Sequence, residues 1–384
     1  MLPMNIEFGL GSWLGAFAWA MLGLHFLCLG WYALSIWSWN RRLADSVAAG
    51  DITKMNSPVA PLITVVIPCR NEAESLPLLL KDLGQQTVPL ELLVIDDRST
   101  DGTKNVAEAA GVRCIKNKGE GKKAALRQAH SQIETPWMAT LDADVRIGKN
   151  WAMSMEHSIN QSASSAVEAI LGTVRLNATP ESAWERFQAL EYGCLMAWIE
   201  GGVCAEKLAM GSGANSVYRT STYPAESLNE AQASGDDAYA LLAIKKHGSH
   251  IAWNSDPQAF ATTQPVQNWT DLWNQRARWA SKTNDQADGE TKSVGRLIAA
   301  VELSFLLALL GTISSSDVAF LWILVAVILK TLINQPLISS AAQRYKLPMK
   351  PSDVLCFPWR YAALVWGAWW QLLRGNVKWK GRQL

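Results

Sequence analysis

Two acidic clusters stand where carboxylates can do chemistry. Asp96-Asp97 closes one apolar run and Asp142-Ala143-Asp144 closes another. Carboxylates spaced as Asp-x-Asp can point together at one hard cation, which takes oxygen ligands and commonly keeps substrate phosphates in its shell. Each cluster alone reads equally as a loop or helix-capping feature, because Asp suits both places. Found together after successive strands, they favour one shared crevice. In open α/β sheets ligands bind beyond the carboxyl ends of the strands, where the strand order reverses.

The elements that must position these carboxylates follow from pattern. Leu62–Pro68 (LITVVIP) is a short β-branched run, as in a strand buried on both faces. Leu76, Leu79, Leu80 and Leu83 then recur at helical spacing and mark one face. Leu90–Ile95 reads as a strand, Thr100–Ala110 as a helix stopped by Gly111, and Val112–Ile115 as a third strand. Lys122–Ile133 reads as a helix and Trp137–Leu141 as a fourth strand. The alternation βαβαβαβ predicts an α/β fold, Rossmann-like, with a mostly parallel, doubly wound sheet.

This domain, expected over residues 61–284, is flanked by different material. The chain has 384 residues, 49% of them hydrophobic and only 18% charged, against about 25% charge in soluble domains. Disorder is excluded, since it needs low hydrophobicity and high net charge. With 35 Lys+Arg against 34 Asp+Glu, no basic excess supports nucleic-acid binding. From Phe8 to Trp39 the one ionisable side chain is His25, a run longer than the roughly 20 residues that span a bilayer. Arg41 and Arg42 follow, so residues 1–42 are expected to anchor the chain with everything after them cytoplasmic, past a linker at 43–60. Residues 285–384 repeat the signal. Leu297–Ile313 and Val318–Asn334 predict a helical hairpin, with Glu302 inside it as either a functional or an interfacial carboxylate. Val354–Leu373 holds Pro358, Arg360 and four tryptophans, and reads as an interfacial or re-entrant segment or as a fourth span, before a basic tail. The six scattered cysteines predict neither a disulfide framework nor a metal cage.

In this setting the motifs resemble those of the family 2 glycosyltransferases, the inverting GT-A group that uses nucleotide-sugars. VVIPCRNE (Val65–Glu72) is similar to that family's opening strand and loop, DDRSTDGT (Asp96–Thr103) to its nucleotide-binding turn, and KGEGKKAAL (Lys118–Leu126) to its Lys/Gly segment. DAD (Asp142–Asp144) is similar to its metal motif. GSGANSVYR (Gly211–Arg219), SGDDAYALL (Ser234–Leu242) and QRARW (Gln275–Trp279) are similar to its acceptor, general-base and QxxRW segments. The match runs in family order from about Pro61 to Lys282, and the flanks resemble its membrane-bound members.

The resemblance implies roles residue by residue. Asp97 would accept hydrogen bonds from the nucleotide base, with Pro68, Asn71 and Glu72 lining the same pocket. Asp142 and Asp144 would hold Mg²⁺ or Mn²⁺ against the diphosphate. Asp237 takes the place of the catalytic base, and Gln275, Arg278 and Trp279 would close over acceptor and leaving group. Lys122 or Lys123 would face phosphate or sugar on a turn that Gly119 and Gly121 keep tight, the alternative being a solvated helix start. Trp279 reads alternatively as a core aromatic, and Asp236-Asp237 as a helix N-terminal pair favoured by the dipole. Two departures stand out: Cys69-Arg70 replaces the aromatic common before Asn-Glu, and Gly235-Asp236-Asp237 replaces Thr-Glu-Asp.

The chemistry requires such groups. A hydroxyl becomes an adequate nucleophile when a positioned carboxylate takes its proton in the transition state. A divalent cation acts as template and Lewis acid for a departing diphosphate, and Arg278 adds a planar fork of donors suited to phosphate. The implied function is transfer of a sugar from a nucleotide-sugar, with a UDP-sugar as the leading expectation, to a lipid-linked or membrane-embedded acceptor at the cytoplasmic face of the inner membrane. The runner-up is a processive polysaccharide synthase. A nucleotide-sugar-binding membrane scaffold without catalysis is the alternative from another class.

Overall fold

A computed structural model describes residues 10–46, 60–163, 165–228, 235–281, 288–312, 317–375, 378–379 and 382–383. Most of the expected linker and parts of the basic tail lie outside these residues. The chain enters through α1 (Leu10–Asp45). Then follow β1 (Ile63–Cys69), α2 (Leu76–Leu83), β2 (Glu91–Asp96), α3 (Thr103–Ala109), β3 (Arg113–Lys116), α4 (Gly121–His130) and β4 (Trp137–Leu141). This is the expected alternation, with each strand within a residue or two of its apolar run. β1 and β4 are buried along nearly their whole length, as continuous apolar runs between helical layers must be. On α2, Leu76, Leu79, Leu80 and Leu83 face the core.

The second half is less regular. It contains β5 (Arg146–Ile147), α5 (Trp151–Gln161), β6 (Val167–Gly172), β7 (Val174–Leu176), α6 (Ala183–Cys204) and β8 (Asn215–Arg219). After these come α7 (Asp236–Lys246), β9 (His250–Asn254), β10 (Ala261–Thr263) and α8 (Trp269–Ser281). One sheet runs β3-β2-β1-β4-β8-β6-β9, and a small one runs β5-β10-β7. β1, β2, β3 and β4 are mutually parallel neighbours, whereas β8 is antiparallel to both β4 and β6. Strand order therefore reverses between β1 and β4, the place where a ligand crevice opens. Because β8 runs against β4, the loop entering β8, rather than one leaving it, lies at the crevice edge.

Among the described residues, three helices are long and apolar enough to cross a membrane: Gly15–Asp45, Gly289–Gly311 and Leu321–Arg344. They belong to α1, α9 (Gly289–Thr312) and α10 (Asp317–Arg344). Leu27, Trp31, Leu34, Leu321 and Leu332 are exposed on their outer faces, as lipid-facing side chains would be. Inside the bundle, Lys330 pairs with Glu302 at 2.5 Å, and the Tyr32 hydroxyl donates to Asn334 Oδ1 at 2.7 Å. Glu302 is thus buried in the bundle, and its charge is met by a lysine from the neighbouring helix. The last apolar stretch forms one uninterrupted helix, α11 (Pro351–Leu373), with no re-entrant turn. It lies along α8, where the Trp273 indole donates to the Ala363 carbonyl at 3.1 Å. All six cysteines are free thiols.

Candidate active site

The crevice is built by turns that the sheet brings to one edge. Asp96 ends β2 and Asp97 follows it, buried. Its carboxylate accepts from the Gly121 N–H at 3.1 Å and from Asn117 Nδ2 at 2.9 Å, and its own N–H donates to the Cys69 carbonyl at 2.8 Å. Asp97 therefore fastens the β2 end to the Lys/Gly turn. Gly121 adopts φ +84°, a conformation that glycine takes without penalty. The β1 end is stitched to the β2 end. Asn71 Oδ1 accepts from the Thr100 N–H at 2.8 Å, the Asn71 N–H donates to Ser99 Oγ at 3.0 Å, and the Glu72 N–H donates to Thr103 Oγ1 at 2.8 Å. Pro68 precedes this loop on β1, partly exposed at the same edge.

Lys122 extends from α4 to the second acidic cluster. Its ammonium donates to Asp142 Oδ1 at 2.6 Å and to the Gly213 carbonyl at 3.2 Å, and lies 3.4 Å from Asp236 Oδ2. Burial works against its charge, but Asp142 and Asp236 outweigh that and hold the ammonium above its ordinary range. Lys123 points elsewhere, over the ring of Tyr239. Asp236 and Asp237 open α7, where the helix dipole favours anions. Asp237 accepts from the Gly213 N–H at 3.2 Å and from the Ala238 N–H at 2.8 Å. Gly213 is needed for this approach. A Cβ there would stand 2.7 Å from Asp236 Oδ2 and 3.0 Å from the Lys122 ammonium.

Asp144 is exposed and accepts from Thr263 Oγ1 at 3.3 Å. Among the described residues no group of three or more His, Cys, Asp or Glu could hold a metal ion. Asp142 and Asp144 alone suit a hard cation that arrives with further oxygen ligands, as one carried by a diphosphate does. The donor set fits such an ion.

α8 forms the far wall with Gln275, Arg278 and Trp279. Burial lowers the pKa of the Arg278 guanidinium from its ordinary value, against the pull of Asp142, Asp237 and Asp236. The same field marks Arg278 as facing the acidic cluster, and it stays charged. Trp279 serves in part as the packing aromatic of the alternative reading. One of its faces is covered by the Arg276 guanidinium, 4.2 Å from the ring centroid, and Tyr192 lies 5.6 Å away. Arg276 in turn grips Glu191 of α6, with Nε donating to Oε1 at 3.1 Å and Nη2 donating to Oε2.

The structure thus brings Lys122, Asp142, Asp236, Asp237 and Arg278 into one electrostatic cluster. It places Pro68, Asn71, Glu72 and Asp97 on the adjoining edge of β1 and β2. Sequence reasoning passed over Glu191, Tyr192, Arg276 and Gly213. α6 also carries Glu185, Arg186 and Glu200, so nothing in its sequence singles out Glu191, whose partner lies 85 residues away.

Residues 64–173 match the family model described as glycosyl transferase family 2. An undecaprenyl-phosphate 4-deoxy-4-formamido-L-arabinose transferase of Serratia proteamaculans is 25% identical over 225 residues, covering 49% of this chain and 66% of that protein. A 4,4'-diaponeurosporenoate glycosyltransferase of Staphylococcus haemolyticus is 36% identical over 98 residues, covering 24% of this chain and 26% of that protein. The chain therefore spans between about a quarter and two thirds of the length of these relatives. Among solved structures, mannosyltransferase PcManGT from Pyrobaculum calidifontis, in complex with GDP-Man and Mn²⁺, is similar with a TM-score of 0.57. Its identity is 16%, over 88% of this chain and 100% of that one. At that identity the likeness is one of fold, the GT-A arrangement of sheet and helices.

Proposed function

The chain carries a glycosyl transferase family 2 domain of GT-A architecture, and on that premise we propose that it is a membrane-bound inverting glycosyltransferase. It moves a sugar from a nucleotide-sugar, first among them a UDP-sugar, to a hydroxyl of a lipid-linked or membrane-embedded acceptor. The active site faces the cytoplasm at the inner membrane, because Arg41, Arg42 and Arg344 flank the spanning helices on the side of the sheet. The observation that carries this reading is the meeting of Asp142, Asp236 and Asp237 around Lys122, opposite Arg278.

Asp237 is the base. Its carboxylate takes the acceptor hydroxyl proton while the new C1–O bond forms and the C1–O bond to the diphosphate breaks, with inversion at C1. Gly213 aims that carboxylate through its N–H. Arg278 and Lys122 supply positive charge where the leaving group gathers negative charge. The edge formed by Pro68, Asn71, Glu72 and Asp97 receives the nucleoside, with Asp97 shaping the turn from beneath. Asp142 and Asp144 would hold Mg²⁺ or Mn²⁺, which neutralises and templates a departing diphosphate. Gln275 and Trp279 face the acceptor.

The test is a donor screen with the full-length protein: UDP-, GDP- and dTDP-sugars with Mg²⁺, Mn²⁺ or EDTA, read as nucleotide release with and without membrane lipid extract. The expected result is metal-dependent release that lipid stimulates, and a loss of about a hundredfold or more in Asp237→Asn with donor affinity retained. No release with any donor overturns the enzyme reading. Long polymer made from a single donor converts it to the processive one.

A further inference from the structure

We propose that Glu191 is a positioning residue that, through Arg276, sets the orientation of the acceptor-facing side chains of α8. The inference rests on the assignment of Gln275, Arg278 and Trp279 to acceptor and leaving group made above. The Arg276 guanidinium has donors to distribute, and the structure accounts for three. Nε and Nη2 go to the two oxygens of Glu191, and Nη1 goes to Gln275 Oε1. Its flat face lies on Trp279, 4.2 Å from the ring centroid. One cation therefore fixes the amide of Gln275 and the indole of Trp279 against a single carboxylate. Both partners of the pair are buried, at 7% exposure for Glu191 and 9% for Arg276.

A buried ion pair is a poor way to gain stability, because desolvation offsets most of the attraction and apolar side chains of similar volume do as well. Its distinctive property is geometry. A carboxylate gripping a guanidinium through two parallel hydrogen bonds fixes direction as well as distance. The adjacent residue extends the arrangement. Tyr192 packs on Trp279, with 5.6 Å between ring centroids, and its hydroxyl lies close to Ser212. Ser212 precedes Gly213, whose N–H holds Asp237. Consecutive residues of α6 thus support both the acceptor wall and the loop that aims the base.

The experiment uses full-length protein in lipid nanodiscs, with the donor and lipid extract that support turnover. Glu191→Gln keeps the volume of the side chain but weakens the grip, and Arg276→Lys keeps the charge but loses the fork and the stacking. For both variants we expect acceptor-dependent kcat/KM to fall about thirtyfold to a hundredfold, the scale of a misplacement near 1 Å. Donor KM and acceptor-independent donor hydrolysis should stay within about threefold, and the double variant should be no worse than Arg276→Lys alone, as for residues acting in one line. Parallel loss of hydrolysis and transfer would mark a merely structural pair and overturn the proposal. So would unchanged transfer in either variant, or additive losses in the double. Because wild-type turnover is the reference for every ratio, an inactive wild type sinks the enzyme reading first and this inference with it. An active wild type with unaffected variants sinks this inference alone.

Discussion

Lys122 and Asp142 meet at 2.6 Å, which fastens the glycine turn after β3 to the acidic turn after β4. These turns lie 20 residues apart in sequence and on opposite sides of β1 in the sheet. The lysine therefore closes the reversal point of the strand order. It also balances two carboxylates, Asp142 and Asp236, that would otherwise repel.

Removing that ammonium leaves a part-buried acidic cluster without its counter-ion. Solvent reaches Asp142 and screens part of this loss, so the effect is expected on donor turnover more than on folding. Lys122→Met is expected to lower kcat/KM for donor turnover about a hundredfold, and Lys122→Arg to restore part of it. Steady-state nucleotide release on the two variants checks this.

Gly213→Ala tests the same cluster from the backbone side. Its Cβ would arrive 2.7 Å from Asp236 Oδ2 and 3.0 Å from the Lys122 ammonium, so side chains must shift rather than the sheet. The expected result is a loss of kcat of about tenfold to a hundredfold with a melting temperature lowered by only a few degrees. A variant that melts far lower but turns over normally at low temperature would contradict it.

Arg278 is turned toward the acidic cluster, and among the described residues its guanidinium donates no hydrogen bond. A fork of donors held ready in this way suits charge that appears during reaction. Arg278→Lys is expected to reduce kcat about a hundredfold with little change in donor binding. Comparing single-turnover rates with equilibrium donor binding separates the two effects.

Glu156 gives a pH dependence outside the site. The residue is buried on α5, its Oε1 has no hydrogen-bond partner among the described residues, and burial pushes its carboxyl up to about 7. Folding favours the protonated form. This term is fully present below the unfolded value near 4.5, is lost as pH rises toward 7, and leaves a constant penalty above that. Glu156→Gln removes the penalty, so the variant should melt higher than wild type at pH 8, by a gain of about 2 kcal/mol, and similarly at pH 5. Thermal melts at the two pH values check the sign.

Much of this was legible in the chain. β1 to β4 announced themselves as β-branched runs between helical faces, and the acids at their ends fell at the reversal point. What stayed hidden depends on contacts between distant residues. Asp97 reads as a ligand for a base, yet its oxygens are engaged by Gly121 and Asn117, a use no spacing announces. β8 has the pattern of any strand, and nothing in NSVYR says that it runs antiparallel to its neighbours. α11 has enough apolar residues to suggest a span, but Arg360 and Asp353 are met by α6, at the Ala183 carbonyl and at Arg186.

The ion pairs along α6 bear on where the enzyme can be cut. Arg186 is buried against Asp353 at 2.7 Å, and Glu200 is gripped by Arg344 and by the Tyr345 hydroxyl at 2.7 Å. A soluble fragment ending at residue 284 would retain Arg186 and Glu200 but lose every one of those partners, and would expose the apolar face of α6 that α10 and α11 cover. Such a fragment is expected to lack a cooperative melting transition, where the full chain in nanodiscs shows one. The bundle is then no removable tether: the last quarter of the chain is part of the catalytic domain's own folding unit.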